Sequence, residues 1–408
     1  MPLPPLRYLD VFHTEFEGEA AVILSDTEGF IEQPLVLSPL AYYIAAQLDG
    51  ENDISDIQYL FSVASGGREI RDEDIIRVVE ILDDHGFLFS ENYRSLREKV
   101  IAEFNALTVR SAHLAGKSYP DDATELREYL DAYYLCDAGP RQLPGAASIG
   151  QKHVPCFIVP HIDYERGGHS YAHGYLRAAA SGRPETVIVF GVAHGGSPTP
   201  FVLTRKDFDT PLGRVCTDVD LVDEIATRCP WDVFTNEIAH RTEHSIEFQA
   251  VMIAHAFGAD VRIVPILCGP FLTEENIIAP QVEEFLHACR TAVAGLGRRV
   301  TVLASADLAH VGLRFGDAAD IDDAILDSVR MRDEEDLAPV LTGEAEAWYS
   351  SVMRDGNARR VCGINCIYAA LRTAEGAVED GQLLHYGYAP DPGGGIVTFA
   401  SVVFPSKP

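Results

Sequence analysis

Cys156-Phe157-Ile158-Val159-Pro160-His161 and Thr186-Val187-Ile188-Val189-Phe190-Gly191-Val192-Ala193-His194 are two apolar runs of strand length, each leading into a histidine. A run that is apolar at nearly every position reads as a strand buried on both faces, the habit of parallel sheets covered by helices. A third such run, Val300-Thr301-Val302-Leu303-Ala304, leads into Ser305-Ala306-Asp307-Leu308-Ala309-His310. Further strands are expected at 261–268 and, after the flexible Gly393-Gly394-Gly395, at 396–404. Helical segments near 168–180, 218–228, 243–257, 281–295 and 319–330 alternate with them. That alternation predicts an α/β fold with a mostly parallel, helix-covered sheet. Ligands in open sheets of this kind gather outside the carboxyl ends of the strands. Three such ends carrying His161, His194 and the Asp307/His310 pair therefore point to a metal or acid–base site.

The chain has 408 residues and is 47% hydrophobic, enough for a sizeable core and, as a soft expectation, two domains. Its apolar runs are far shorter than the roughly 20 residues that span a bilayer. Met1-Pro2-Leu3-Pro4-Pro5 carries no basic region followed by an apolar stretch, so a soluble cytoplasmic protein without a membrane role is expected. The formal net charge of -30 disfavours nucleic acid, because an acidic surface repels phosphate. Eight cysteines in a chain of this length do not form a disulfide scaffold, and a reducing compartment fits.

Residues 1–100 read as a separate small domain. Ala20–Leu24 is a short strand; Ser38-Pro39 starts a helix that Asp49-Gly50 ends; a second helix covers Ile54 to Val63. Asp72 is expected to cap a third helix in which Ile75, Ile76, Val79 and Leu82 recur at helical spacing. Phe87-Leu88-Phe89 then returns as a strand, and helices followed by strands suggest a winged helix. Its charge, 20 Asp and Glu against 7 Lys and Arg, has the wrong sign for a major groove and favours a peptide or protein partner.

Other residues carry chemistry of their own. The pair Asp307/His310, at i and i+3, shares a face if the segment is helical, and is expected to act as acid and base, or with the Asp orienting the His. Glu243-His244-Ser245-Ile246-Glu247 opens a helix where acidic residues are ordinary, which leaves Glu243 and His244 a supporting or substrate-contact role, with Asp163 and Tyr164 beside His161. Cys362 precedes the helix from Ile367 to Leu371, where the dipole eases ionisation, making it a candidate metal ligand or nucleophile.

From residue 105 to 408 the chain resembles the Memo family, protein B of the AmmeMemoRadiSam group. The resemblance rests on nine segments in order, among them "RSAHLAGKSYP", "IVPHIDYERGG", "VFGVAHGG", "EHSIEFQ", "SADLAHVGLRF" and "VCGINCIYAAL". It implies a fold similar to class III extradiol dioxygenases. It also implies iron or copper held by His161, His194 and Cys362, with Asp307 and His310 lining the same pocket. Ile162-Asp163 stands where many members have Ala-Gly, Ala193-His194-Gly195 where Ser-His-His is common, and Gly363-Ile364-Asn365 where Gly-Arg-His is found; substrate preference is therefore the chain's own. Residues 15–92, with "LSPLAYYIAAQLDGENDISDIQYLF" and "DIIRVVEILDDHGFL", resemble PqqD-like domains, which implies capture of a peptide. Two functions follow as expectations. One is an iron- or copper-dependent redox enzyme of oxygenase type acting on a small molecule, iron(II) being the first choice. The other is a non-catalytic metal-holding scaffold that recruits a peptide or partner enzyme.

Overall fold

The computed structural model describes residues 1–16, 18–145 and 152–407, and these fall into two units, Met1–Ala106 and Leu107–Pro408. The first unit begins with strands β1 (Leu9–Phe16), β2 (Glu19–Asp26) and β3 (Leu35–Leu37), an antiparallel sheet in that order. Helices α1 (Pro39–Ala45), α2 (Ile54–Ala64), α3 (Asp72–Asp84) and α4 (Glu91–Ala106) follow. Ser38 caps α1 by accepting from the Ala41 N–H, and Asp53 and Asp56 form a reciprocal capping box on α2. The expected cap Asp72 is instead the first helical residue; Arg71 precedes it without a capping bond, and Asp72, Glu73 and Asp74 occupy the dipole-favoured first turn. Val22, Leu24, Ile44, Ile57, Ile75, Leu82 and Phe87 form the core. Arg7 is buried beside it, donating to Asp26 (2.6 Å), Glu28 (2.8 Å) and the Gly86 carbonyl, with its guanidinium 3.8 Å from the Tyr93 ring centroid.

The strand expected at Ala20–Leu24 is found as β2, and all three strands of this unit come before the helices. Phe87-Leu88-Phe89 makes only a single bridge, Leu88 to Leu6, so the strand expected there is not formed. Gly86 turns the chain with φ 75° and α4 starts five residues on, too soon for a strand to extend.

The second unit contains, in chain order, β4 (Val109–Arg110), α5 (Ala123–Leu135), β5 (Cys156–Val159), α6 (Tyr164–Ala180), β6 (Thr186–Val192), β7 (Phe201–Leu203), β8 (Asp207–Phe208), α7 (Val219–Arg228), α8 (His244–Ala256) and β9 (Arg262–Cys268). There follow α9 (Pro280–Ala294), β10 (Val300–Ser305), β11 (Asp307–Val311), α10 (Asp323–Leu341), α11 (Ala345–Met353), α12 (Ile364–Ala374), β12 (Gln382–Pro390) and β13 (Ile396–Phe404). An eight-stranded sheet runs β11-β13-β5-β10-β6-β9-β7, with β12 on the other edge of β13. Alternation along the strands feeds two cores: Cys156, Ile158, Ile188 and Phe190 join α7, α9, α11 and α12 on one face, while Phe157, Val159, Val187 and Val189 join α5, α6 and α8 on the other. Burial on both faces is why these strands read as unbroken apolar runs.

The sheet is mixed rather than mostly parallel. Within it only β5, β10, β6 and β9 pair in parallel; β7, β11, β12 and β13 pair antiparallel. The glycine-rich turn at 393–395 folds β12 and β13 into a hairpin, which needs no crossover and so imposes the antiparallel sense. One detail of this edge builds the site. Val402–Phe404 of β13 pair with β5, whereas Ile396–Phe399 pair with β11. Ala306 donates to the Val159 carbonyl (2.9 Å), so the chain leaves β10, crosses the end of β5 and continues along β13 in its place.

Candidate metal centre

That crossing corrects the helical reading of Asp307 and His310. The segment is strand β11, with a register irregularity between the two residues. Asp307 binds to His161: its Oδ1 accepts from the backbone N–H of His161 (2.9 Å) and Ile162 (3.2 Å), and its Oδ2 is 3.6 Å from His161 Nε2. Burial pushes the Asp307 carboxyl up to about 7 even against those two hydrogen bonds.

His161 follows β5, and its Nδ1 lies 2.9 Å from the Ser305 carbonyl at the end of β10. A carbonyl only accepts, so Nδ1 carries the proton and Nε2 presents its lone pair. Gln249 of α8 clamps the two strand ends, donating to the Pro160 carbonyl (2.8 Å) and the Ser305 hydroxyl (2.7 Å). Burial, then the neighbouring His194 and His244, hold His161 well below the usual histidine pKa.

His194 follows β6. Its Nδ1 is 3.0 Å from Glu243 Oε1 and its backbone N–H donates to Glu243 Oε2 at 2.9 Å. Glu243 also caps α8 through the Ser245 N–H (2.9 Å). Burial opposes a charge on His194, yet Glu243 and Cys362 lift its pKa well above the usual range. Burial alone would raise Glu243, but His194 and His244 hold its carboxyl well below. His244, stacked on His194 at 4.5 Å between centroids, is driven down to about 4 by burial. Gly191 lets the start of α8 close on β6, since a Cβ there would lie 2.6 Å from Ser245 Oγ.

Cys362 arrives on the loop before α12. Its Sγ is 3.2 Å from His161 Nε2. Gly363 permits this approach: it donates to the Asp307 carbonyl (3.1 Å), and a Cβ on it would sit 2.4 Å from Ala306 Cβ and 2.6 Å from that carbonyl oxygen. The expected easy ionisation does not hold, because burial pushes the thiol up to about 11 and outweighs the helix dipole.

One donor atom from each of His161, His194 and Cys362 lies within 4.8 Å of the other two; the same holds for His194, Glu243 and His244, and for Asp307, His310 and Cys362. The His161, His194 and Cys362 set fits a transition metal: two imidazoles whose other nitrogens are held by a carbonyl and a carboxylate, and a sulfur.

The cluster opens on a cavity of about 530 Å³, lined also by His113, Asp163, Arg166, Phe248, His310, Arg314, Phe315 and Asp391. Asp163 caps α6 and pairs with Arg166 at 2.6 Å; Arg166 reaches Asp391 at 3.3 Å. His310 packs edge-on against Phe315 and is kept below the usual histidine pKa by burial. Tyr164 does not join them: it is fully buried in the core, donating to the Phe248 carbonyl (2.6 Å). Glu247 also lies apart, in a buried ion pair with Arg110 (2.5 Å) that receives the Leu114 N–H and the Tyr119 hydroxyl. Ser305, Gln249, Arg166 and Arg314 were not singled out from the sequence. All four stand inside the segments that carry the family resemblance, but their residue types alone did not mark them, and only the chain crossing brings Ser305 to His161.

Fold and site together define an α/β protein with a histidine–cysteine cluster at the carboxyl ends of its strands. The family model for Memo-like proteins matches residues 110–398, and the chain belongs to the Memo family. A MEMO1 family protein of Aquifex aeolicus is 26% identical over 408 residues, covering 98% of this chain and 99% of the relative, so the similarity includes the first unit. A MEMO1 family protein of Ignicoccus hospitalis is 33% identical over 206 residues, 50% of this chain and 70% of the relative. One from Desulfurococcus amylolyticus is 26% identical over 300 residues, 72% of this chain and 98% of the relative. Among the described residues no helix is long and apolar enough to cross a membrane.

Proposed function

We propose that the protein is a metal-dependent redox enzyme in which His161, His194 and Cys362 hold iron(II) or copper beside a cavity that admits a small substrate. The observation that carries this reading is the pair of imidazoles whose Nδ1 atoms lie against the Ser305 carbonyl and Glu243, with His161 Nε2 3.2 Å from the Cys362 sulfur and a donor atom of His194 within 4.8 Å of both. When bound, the metal supplies an electron-transferring Lewis-acid centre; a thiolate ligand makes it softer than the two-histidine, one-carboxylate set of non-haem oxygenases. Asp307, with a pKa near neutrality, and His310, kept neutral by burial, handle protons at the cavity wall. The 530 Å³ cavity suits a small organic molecule.

The similarity in fold to extradiol dioxygenases belongs to the same proposal, as does a PqqD-like docking role for residues 1–100. Supporting the latter, strand β1 is an edge of its sheet and largely exposed, the setting in which an extended peptide adds a further strand.

The test is anaerobic purification with elemental analysis. About one iron or copper per chain is expected, lost in His161→Ala without loss of the fold. Oxygen uptake with catechol-type compounds then reports catalysis. A metal content unchanged by His161→Ala would overturn the site; retained metal with no turnover of any compound would favour the scaffold.

A further inference from the structure

On the edge of β13 opposite β11 lies a second group of histidines that the site above does not use. His169 and His173 stand one turn apart on α6, at i and i+4, so both project from the same helix face. His385 comes from β12, paired with Ser401 of β13. The His385 ring centroid is 4.8 Å from that of His169 and 5.4 Å from that of His173. Three imidazoles from two elements thus converge with no carboxylate or sulfur among them.

Their hydrogen bonds are incomplete in an informative way. His385 Nδ1 is shielded from solvent and has no hydrogen-bond partner. A buried nitrogen without a partner carries a desolvation cost that a bound ion would remove. His173 Nε2 lies 3.0 Å from the Ala138 carbonyl. That nitrogen therefore carries the proton, and Nδ1 keeps its lone pair, the division of labour that orients metal-binding histidines. Burial, then the other two histidines, brings His385 down to about 4, so it is neutral at pH 7; burial also lowers His169.

We propose that His169, His173 and His385 form a second metal site, for a divalent ion of zinc type. Three imidazoles are a complete protein donor set for Zn²⁺ that leaves one position open. His169 and His385 line a cavity of about 780 Å³ with Arg330, Glu334, Tyr386 and Tyr388, wide enough for water or a small ligand, while His173 lines a separate cavity of about 280 Å³. Closing the trio on an ion takes rotation of the rings about their side-chain torsions, since their nitrogens do not converge as tightly as the donors of the first site.

The test uses the full-length chain carrying His161→Ala, His194→Ala and Cys362→Ala, so that none of the donor sets of the first site remains complete. Equilibrium dialysis against Zn²⁺ followed by elemental analysis is expected to leave one zinc per chain. Adding His385→Ala is expected to weaken that binding about 100-fold, and His173→Ala, at the more open end of the trio, at least about 10-fold. Circular dichroism and melting temperature verify that each variant is folded, and Co²⁺ absorption reports the ligand set independently. A zinc content that is zero in the background variant, or that does not change on removing His385 and His173, overturns the proposal. Because the first site is disabled throughout, failure here is distinct from failure of the iron or copper reading.

Discussion

The two histidine clusters of the second unit differ in what stands behind the rings. At the strand ends, His161 is pinned by the Ser305 carbonyl and His194 by Glu243, and Gln249 locks the strand ends together. On α6 and β12, one ring of three has a fixed nitrogen and His385 Nδ1 has no partner. The lesson is that preorganisation, more than the count of imidazoles, separates a tight site from a loose one. The first cluster should bind its ion with little movement, whereas the second must reorganise.

The strongest way to break this comparison is to remove a buried support behind the first cluster. Arg110 and Glu247 are both almost fully buried, and Arg110 also donates to the His240 and Glu243 carbonyls, tying β4 to the start of α8. Arg110→Ala leaves Glu247 buried without its partner and is expected to cost about 3–5 kcal/mol, measured by denaturant unfolding. A loss within the range of ordinary surface changes would show that the site does not depend on this anchor.

A second lever is pH. At pH 7 the metal-free site holds one proton on His194, whose pKa is raised, and one on Cys362, at about 11. Both must leave when an ion binds, so affinity rises with pH, approaching a factor of about 100 per unit near neutrality. Calorimetry in buffers of different ionisation enthalpy should record nearly two protons released per ion. The second cluster, with His385 and His169 already shifted toward the neutral form, should release far fewer.

A smaller effect is expected from Glu243→Gln, which keeps an acceptor near His194 Nδ1 but removes the charge. Metal affinity should fall about 10–100-fold while the fold persists, since the Gln oxygen is still able to cap α8. An unchanged affinity would place His194 outside the coordination sphere.

Much of this architecture was legible from patterning. The continuous apolar runs at 156–160, 186–191 and 300–305 read as buried strands because alternate residues enter two different cores. The histidines were legible because they end those strands. What sequence spacing missed depends on non-local pairing. Asp307 and His310 share a face in a helix as readily as they straddle an irregular strand, and only β13 makes the segment a strand. Tyr164 looks like a site residue by adjacency, yet the first turn of α6 aims it into the core. Cys362 at a helix start promised a low pKa, but burial, invisible in local sequence, decides its protonation. In the first unit, an early Gly86 turn and helix α4 left no length for the strand expected at Phe87.

The account stands on His161, His194 and Cys362 sharing one ion, and X-ray absorption on protein loaded anaerobically with one equivalent of iron(II) tests it most directly. The account predicts a sulfur scatterer in the first shell, together with imidazole nitrogens, that disappears in Cys362→Ser. A first shell without sulfur, or one that Cys362→Ser leaves unchanged, would contradict it.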